Sequence, residues 1–192
     1  MFNILSKKLT TTFIDFNIIS PEDRDIYIYS FELLLSAIAN LLVVVAMILL
    51  TGRVFSGMIF VANFLTLRQS VGGYHATTHL WCVLSFIVIF TVFLSIISML
   101  PHVYYFSVII GSLVLAVPII LFCAPVAHVN KPLSKNERFH LRRVAQVLTI
   151  LLTIFLLATS YMDHGNIASL SIALSMLTVS VSALAGKVKN QK

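Results

Sequence analysis

The most reactive side chains of this sequence lie close together, within residues 68–82. This stretch contains an arginine, two adjacent glycines, two histidines and a cysteine, namely Arg68, Gly72, Gly73, His75, His79 and Cys82. A cysteine with an imidazole forms a nucleophilic site, because the imidazole takes the thiol proton and the thiolate attacks a carbonyl. Adjacent glycines let the backbone turn sharply, and their N–H groups could stabilise an oxyanion. The stretch therefore predicts covalent catalysis with Cys82 as the nucleophile.

The spacing of these residues leaves the identity of the base open. His79 precedes Cys82 by three residues, so the two side chains would meet on one face of a continuous helix. His75 precedes Cys82 by seven residues, which in a helix is about 10.5 Å along the axis. A pair with His75 therefore requires the chain to fold back. The predicted helix places Cys82 about one turn from its N-terminus, where free N–H groups favour a thiolate.

Two other functions are compatible with the same residues. His75, His79 and Cys82 could supply zinc ligands, although no glutamate follows His75 as in the H-E-x-x-H pattern of zinc proteases. A transporter without catalysis is the second alternative. The predicted spans carry no charged residue in their middles, where a transport path often has one, and Glu32 is the nearest candidate. We predict neither a metal nor a cofactor.

The composition requires a lipid environment. Of 192 residues, 59% are hydrophobic and 10% are charged, whereas an ordinary soluble domain has about 25% charged residues. The mean hydropathy is +0.99. These values exclude a soluble globular protein, a disordered chain and a nucleic-acid-binding domain. The net charge of +6 is interpreted as a signal of membrane topology, because lysine and arginine concentrate in cytoplasmic loops.

We therefore predict an all-α polytopic integral membrane protein with one domain, residues 1–192. A helix crosses the hydrocarbon layer with about 20 apolar residues, and six segments are candidates. These spans are 26–51, 54–67, 80–100, 102–124, 144–162 and 167–185. The second span is short. The last is rich in small residues, which allow close helix packing in lipid.

The distribution of basic residues favours six spans with both termini in the cytoplasm. This arrangement places all lysines and arginines except Arg53 on the inner side, as the positive-inside rule requires. Residues 1–20 precede the first span and do not resemble a secretory signal peptide. Within them, Phe2, Leu5, Leu9, Phe13 and Phe16 recur on one helical face. We predict an amphipathic helix that lies on the membrane surface.

The reactive stretch resembles the signature of the accessory gene regulator B family, membrane peptidases of Gram-positive quorum sensing. The matching residues are Arg68, Gly72, Gly73, His75 and Cys82. A second match lies downstream, where Ala124-Pro125-Val126 is followed by Asn130-Lys131-Pro132-Leu133. The length, the six spans and the basic inner loops also agree. The resemblance therefore covers essentially the whole chain.

The resemblance implies a cysteine endopeptidase of the plasma membrane whose active site faces the cytoplasm. Cys82 would be the nucleophile, and His75 rather than His79 would be the base. The enzyme would remove the C-terminal tail of a small precursor peptide. A side chain of the precursor would then attack the acyl-enzyme and give a cyclic thiolactone or lactone signal. The resemblance further implies that the enzyme forms a homodimer and that it is embedded in the lipid bilayer.

The residue types also suggest which groups assist the catalytic pair. We expect a supporting role, as oxyanion donors or positioning groups, for Arg68, Gly72, Gly73 and His79. Five basic residues of the second inner loop are candidates for binding an amphipathic precursor with an acidic tail. They are Lys131, Lys135, Arg138, Arg142 and Arg143. Membrane topology is the alternative explanation for these same charges.

Overall fold

The computed structural model describes residues 2–73, 79–126, 134–163 and 165–190. This part of the chain forms seven α-helices: α1 (Phe2–Asp15), α2 (Arg24–Thr51), α3 (Val54–Val71), α4 (His79–Met99), α5 (Tyr105–Cys123), α6 (Lys135–Asp163) and α7 (Ile167–Asn190). Short 3-10 turns, Pro21–Asp23 and His102–Tyr104, precede α2 and α5. Within the described ranges the only β-type pairing is a single bridge between Gly72 and Val126.

Helices α2, α3, α5, α6 and α7 are long and apolar enough to cross a membrane, and α4 contains a shorter apolar stretch, Val83–Met99. The protein is therefore an all-α polytopic membrane protein, as the sequence predicted. Helices α2 to α7 coincide in order and approximate position with the six predicted spans. The cytoplasmic location of both termini stays a prediction.

Helix α6 begins earlier than the predicted span at 144–162. Its first residue is Lys135, so residues that the sequence analysis assigned to an inner loop form its first turns. The Ser134 N–H donates to Glu137 Oε2 at 2.9 Å, and the Glu137 N–H donates to Ser134 Oγ at 3.2 Å. This reciprocal pair is a capping box, which satisfies backbone donors that have no partner inside the helix.

The described residues divide into two compact units. The first unit consists of residues 1–50 and 76–90 and contains α1, α2 and the first part of α4. The Asn3 side-chain amide donates to Glu32 Oε1, and the rings of Phe13 and Phe31 lie 5.5 Å apart. These two contacts hold α1 against α2.

Helix α1 buries a polar stripe and leaves apolar residues exposed. Ser6 and Thr10 are buried, and each hydroxyl donates to a carbonyl of α1 itself, at 3.0 and 2.9 Å. Ile4 is 74% exposed and Leu5 is 47% exposed, whereas Leu9 and Phe13 are half-buried. The apolar face is therefore divided: its first turn is exposed, and Phe13 packs on α2. The helix itself was predicted, and its position on the membrane stays a prediction.

The second unit consists of residues 51–75 and 91–192 and contains α3, the last part of α4, and α5 to α7. Helix α7 packs against α3, α5 and α6. Its buried positions carry mostly small side chains, including Ser169, Ser171, Ala173, Ser175, Ser180 and Ala183. Small side chains let helix backbones approach closely in lipid. Helix α7 is the most buried of the candidate spans, which makes it the centre of this unit.

Polar contacts reinforce the packing of α7. The Asn63 amide on α3 donates to Ser175 Oγ and, at 3.4 Å, to the Ile172 carbonyl. On the α6 side, the hydroxyls of Thr159 and Ser169 share a hydrogen bond of 2.9 Å. Hydrogen bonds between helices help to hold apolar helices together in a membrane. They also fix the position of α7 along its neighbours.

A larger side chain at a packed position of α7 should destabilise the protein. Ala173 is fully buried, whereas Ala185 on the same helix is exposed. We expect Ala173→Leu to cost about 1–3 kcal/mol, because an overpacked interface must shift, and Ala185→Leu to cost much less. Thermal unfolding of the purified variants in one detergent measures the difference. Equal midpoints for the two variants would contradict the packing described for α7.

Candidate active site

The C-terminal end of α3 builds the first part of the candidate site. Arg68 lies in the last turn, and the Gly72 N–H donates to the Arg68 carbonyl at 2.9 Å. Gly72 has a φ of 73° and a ψ of −155°, a backbone conformation that is essentially restricted to glycine. This is the sharp turn that the sequence predicted. The Gly72 N–H thus closes the end of the helix, and the oxyanion role expected of the two glycines stays a prediction.

A backbone bridge joins this turn to the segment that follows α5. The Val126 N–H donates to the Val71 carbonyl at 2.9 Å, and Gly72 pairs with Val126 in parallel orientation. A Cβ atom at position 72 would fall on the Val126 carbonyl oxygen. The structure thus brings together Arg68-to-Gly73 and Ala124-Pro125-Val126, the two segments on which the family resemblance depends. Glycine at position 72 is what allows this approach.

Gly73 lies against helix α7. It is buried, and a Cβ atom at this position would lie 2.6 Å from Ser182 Oγ and 3.4 Å from Arg68 Nη1. Arg68 Nη1 donates to Ser182 Oγ at 2.8 Å. The Arg68 guanidinium carbon also lies 5.6 Å from the centre of the Phe64 ring, in a cation–π contact. Phe64 and Ser182 therefore fix the guanidinium beside Gly73.

A guanidinium fixed in this way is suited to bind an anion. Its N–H donors form a rigid planar fork that matches carboxylates and other anionic oxygens, and hydrogen bonds to charged groups are stronger than neutral ones. Sequence reasoning singled out Arg68 and missed Ser182. The reason is that Ser182 belongs to a helix rich in small residues, where a serine is expected to serve close helix packing. Nothing in its spacing marks it as a partner of Arg68.

The structure places Cys82 by its backbone. It is the fourth residue of α4, which begins at His79, so the predicted position about one turn into the helix is confirmed. His75 lies outside the described residues, and so do the side chains of His79 and Cys82. The choice of His75 over His79 therefore rests on the family resemblance. Cys82 belongs to the first unit, whereas Arg68 to Gly73 belong to the second.

The basic residues of the predicted second inner loop are exposed on the first turns of α6. They are Lys135, Arg138, Arg142 and Arg143, and Lys131 lies outside the described residues. Positions 135, 138 and 142 follow helical spacing and share one side of α6. The Arg143 guanidinium lies 4.3 Å from the centre of the Phe139 ring. We call these four residues the α6 basic stripe.

Among the described residues, no group of three or more His, Cys, Asp or Glu side chains is placed to hold a metal ion. The proposed zinc ligands were His75, His79 and Cys82. The side chains of these three residues lie outside the described part of the chain, so this finding does not test the zinc alternative.

Comparisons with known proteins identify one family. The family model described as Accessory gene regulator B matches residues 2–183, nearly the whole chain. Searches of curated proteins and of solved structures found no match. The matched range contains the reactive stretch 68–82, the segment from Ala124 to Leu133 and helix α7 up to Ala183.

The contact between Gly72 and Val126 predicts a specific sensitivity to substitution. Gly52 also has a positive φ, 65°, but a Cβ atom there would meet nothing within 4 Å. We expect Gly52→Ala to cost about 1–2 kcal/mol from the left-handed backbone alone. Gly72→Ala should cost about 1–3 kcal/mol more, because the Val126 backbone must move. Thermal unfolding in detergent compares them, and equal losses would show that the bridge does not depend on glycine.

Proposed function

Because the chain belongs to the accessory gene regulator B family, we propose that it is a membrane cysteine endopeptidase that processes a small autoinducer precursor peptide. The family is linked to peptide processing, and the apolar helices fit a multi-pass membrane protein. The observation that carries the proposal is the family match across residues 2–183, which includes His75 and Cys82. The contact between the two motif segments supports it.

In this proposal the first step cleaves the precursor. His75 takes the thiol proton of Cys82, and the thiolate attacks the carbonyl carbon before the C-terminal tail. The peptide C–N bond breaks, the tail leaves as an amine that receives the proton, and a thioester remains on Cys82. The start of α4 assists, because free N–H groups in the first turn of a helix stabilise negative charge. We assign the oxyanion to these groups rather than to Gly72.

The second step closes the ring. A thiol or hydroxyl of the precursor attacks the thioester carbonyl, Cys82 leaves as a thiolate, and the nucleophile's proton returns to the catalytic pair. The product is a thiolactone or a lactone. The internal group competes with water only if it is held close and water is partly excluded. A site at a membrane face provides both conditions.

The basic residues of the candidate site are proposed to bind the precursor. The α6 basic stripe and Lys131 would attract an acidic tail through the field of clustered cations. Exposure of the four described residues of this set supports that role. Arg68 is proposed to bind an anionic group of the precursor. The active site is further proposed to face the cytoplasm of a Gram-positive bacterium, in a homodimer.

Substitution of the two cysteines and two histidines tests the proposal. The variants are reconstituted in nanodiscs with a synthetic amphipathic peptide that carries an internal cysteine and an acidic C-terminal tail. Cys82→Ala should abolish cleavage, and His75→Ala should lower it by about 10²–10⁴-fold, the usual contribution of a general base. Cys123→Ala is the matched control, because Cys123 is the only other cysteine. A thiol alkylator should inhibit the enzyme, and a chelator should not.

The histidine variants separate two versions of the site. His79→Ala should lower the activity much less than His75→Ala if His75 is the base and His79 only supports it. Loss in His79→Ala with activity retained in His75→Ala would assign the base to His79, as the helical spacing alone favours. Full cleavage by Cys82→Ala would refute the cysteine mechanism. Inhibition by the chelator without inhibition by the alkylator would favour the zinc alternative.

A further inference from the structure

We propose that Ser182 on α7 is a positioning residue for Arg68 and for the turn at Gly73; this inference rests on the proposed function. Ser182 Oγ accepts a hydrogen bond from Arg68 Nη1 at 2.8 Å. The same oxygen would lie 2.6 Å from a Cβ atom at position 73. One hydroxyl of a different helix thus holds the cation of the reactive stretch and occupies the space that a side chain at position 73 would need.

The position of Ser182 is determined by the packing of α7 on α3. Ser175 accepts a hydrogen bond from Asn63 of α3, and Ser182 follows Ser175 by seven residues. Residues seven apart lie on nearly the same face of a helix, about two turns from each other. Helix α7 therefore contacts α3 at two levels, and Ser182 provides the contact at the level of Arg68.

An arginine side chain needs such a contact to act at one place. Its long stem has several rotatable bonds and loses considerable rotamer freedom when the guanidinium is fixed. Phe64 lies beneath the guanidinium, but a ring face does not define the orientation of the N–H groups. The hydrogen bond to Ser182 fixes the direction of one guanidinium nitrogen, Nη1. Removal of the hydroxyl should leave Arg68 present and charged but with its guanidinium less firmly oriented.

Another serine of α7 offers a matched control. Ser180 is fully buried, and its hydroxyl donates to the Leu177 carbonyl of its own helix at 2.7 Å. Ser180→Ala removes a buried hydroxyl two residues from Ser182 without removing an acceptor of Arg68. A general effect of losing a hydroxyl from α7 should appear in both variants, whereas an effect through Arg68 should appear only at position 182.

The test is a double-mutant cycle measured as the rate of precursor processing in nanodiscs. Ser182→Ala should lower the rate about tenfold, a typical effect of losing one hydrogen bond to a charged group. Ser182→Thr, which keeps the hydroxyl, should restore most of the rate, and Ser180→Ala should stay near wild type. In the Arg68→Gln background, Ser182→Ala should cause no further loss, because residues that act through one another are not additive.

Several outcomes would overturn the inference. Losses that multiply in the double variant would show that Ser182 acts independently of Arg68. Equal losses in Ser180→Ala and Ser182→Ala, or a lower unfolding midpoint in Ser182→Ala that Ser182→Thr does not restore, would indicate a purely structural role. Processing that persists in Cys82→Ala would instead refute the peptidase mechanism. In that case the double-mutant cycle would still test the role of Ser182, because it compares the rates of product formation with and without Arg68.

Discussion

Lipid supplies no hydrophobic force that would hold one apolar helix against another, so the helices of the second unit must associate through close packing and hydrogen bonds. Helix α7 meets this requirement with small buried residues such as Ala173 and Ser175 and with the hydrogen bond from Asn63. The candidate site depends on this packing. Ser182 reaches Arg68 and lies against Gly73 because α7 is close to α3 at that level.

A second constraint acts where the chain leaves α3. Backbone polar groups near a membrane need partners within the protein, and a helix end exposes several of them. Here the Gly72 N–H turns back to Arg68, and the Val71 carbonyl accepts from the Val126 N–H. These two bonds satisfy the backbone and also join two segments that are far apart in sequence. The glycine is required because a side chain would displace Val126.

The sequence predicted those features that depend on local composition or spacing. Long apolar runs indicated the spans, the turn was expected at Gly72, and Cys82 was placed in the first turn of its helix. The early start of α6 was also readable, because Ser134 and Glu137 have the spacing of a capping box, but the basic residues around them favoured a loop. Sequence patterns describe single elements well when the signal comes from the element itself.

Features that depend on contacts between elements could not be predicted. Periodicity shows that α1 is amphipathic, but not that Ser6 and Thr10 take the packed side. It identifies small residues in α7, but not that Ser182 in particular meets Arg68. The hydrogen bond from the Gly72 N–H to the Arg68 carbonyl likewise depends on where α3 ends. The residue type alone does not specify that position. Such pairings come from tertiary packing.

The central claim is that Cys82 forms a covalent thioester with the precursor before the ring closes. Intact-mass analysis tests it most directly, with a precursor whose internal nucleophile is replaced by alanine. The account predicts a precursor–enzyme adduct that accumulates, is released by hydroxylamine and is absent in Cys82→Ala. Free linear peptide released at the normal rate without any adduct would contradict it, because water would then be the natural acceptor.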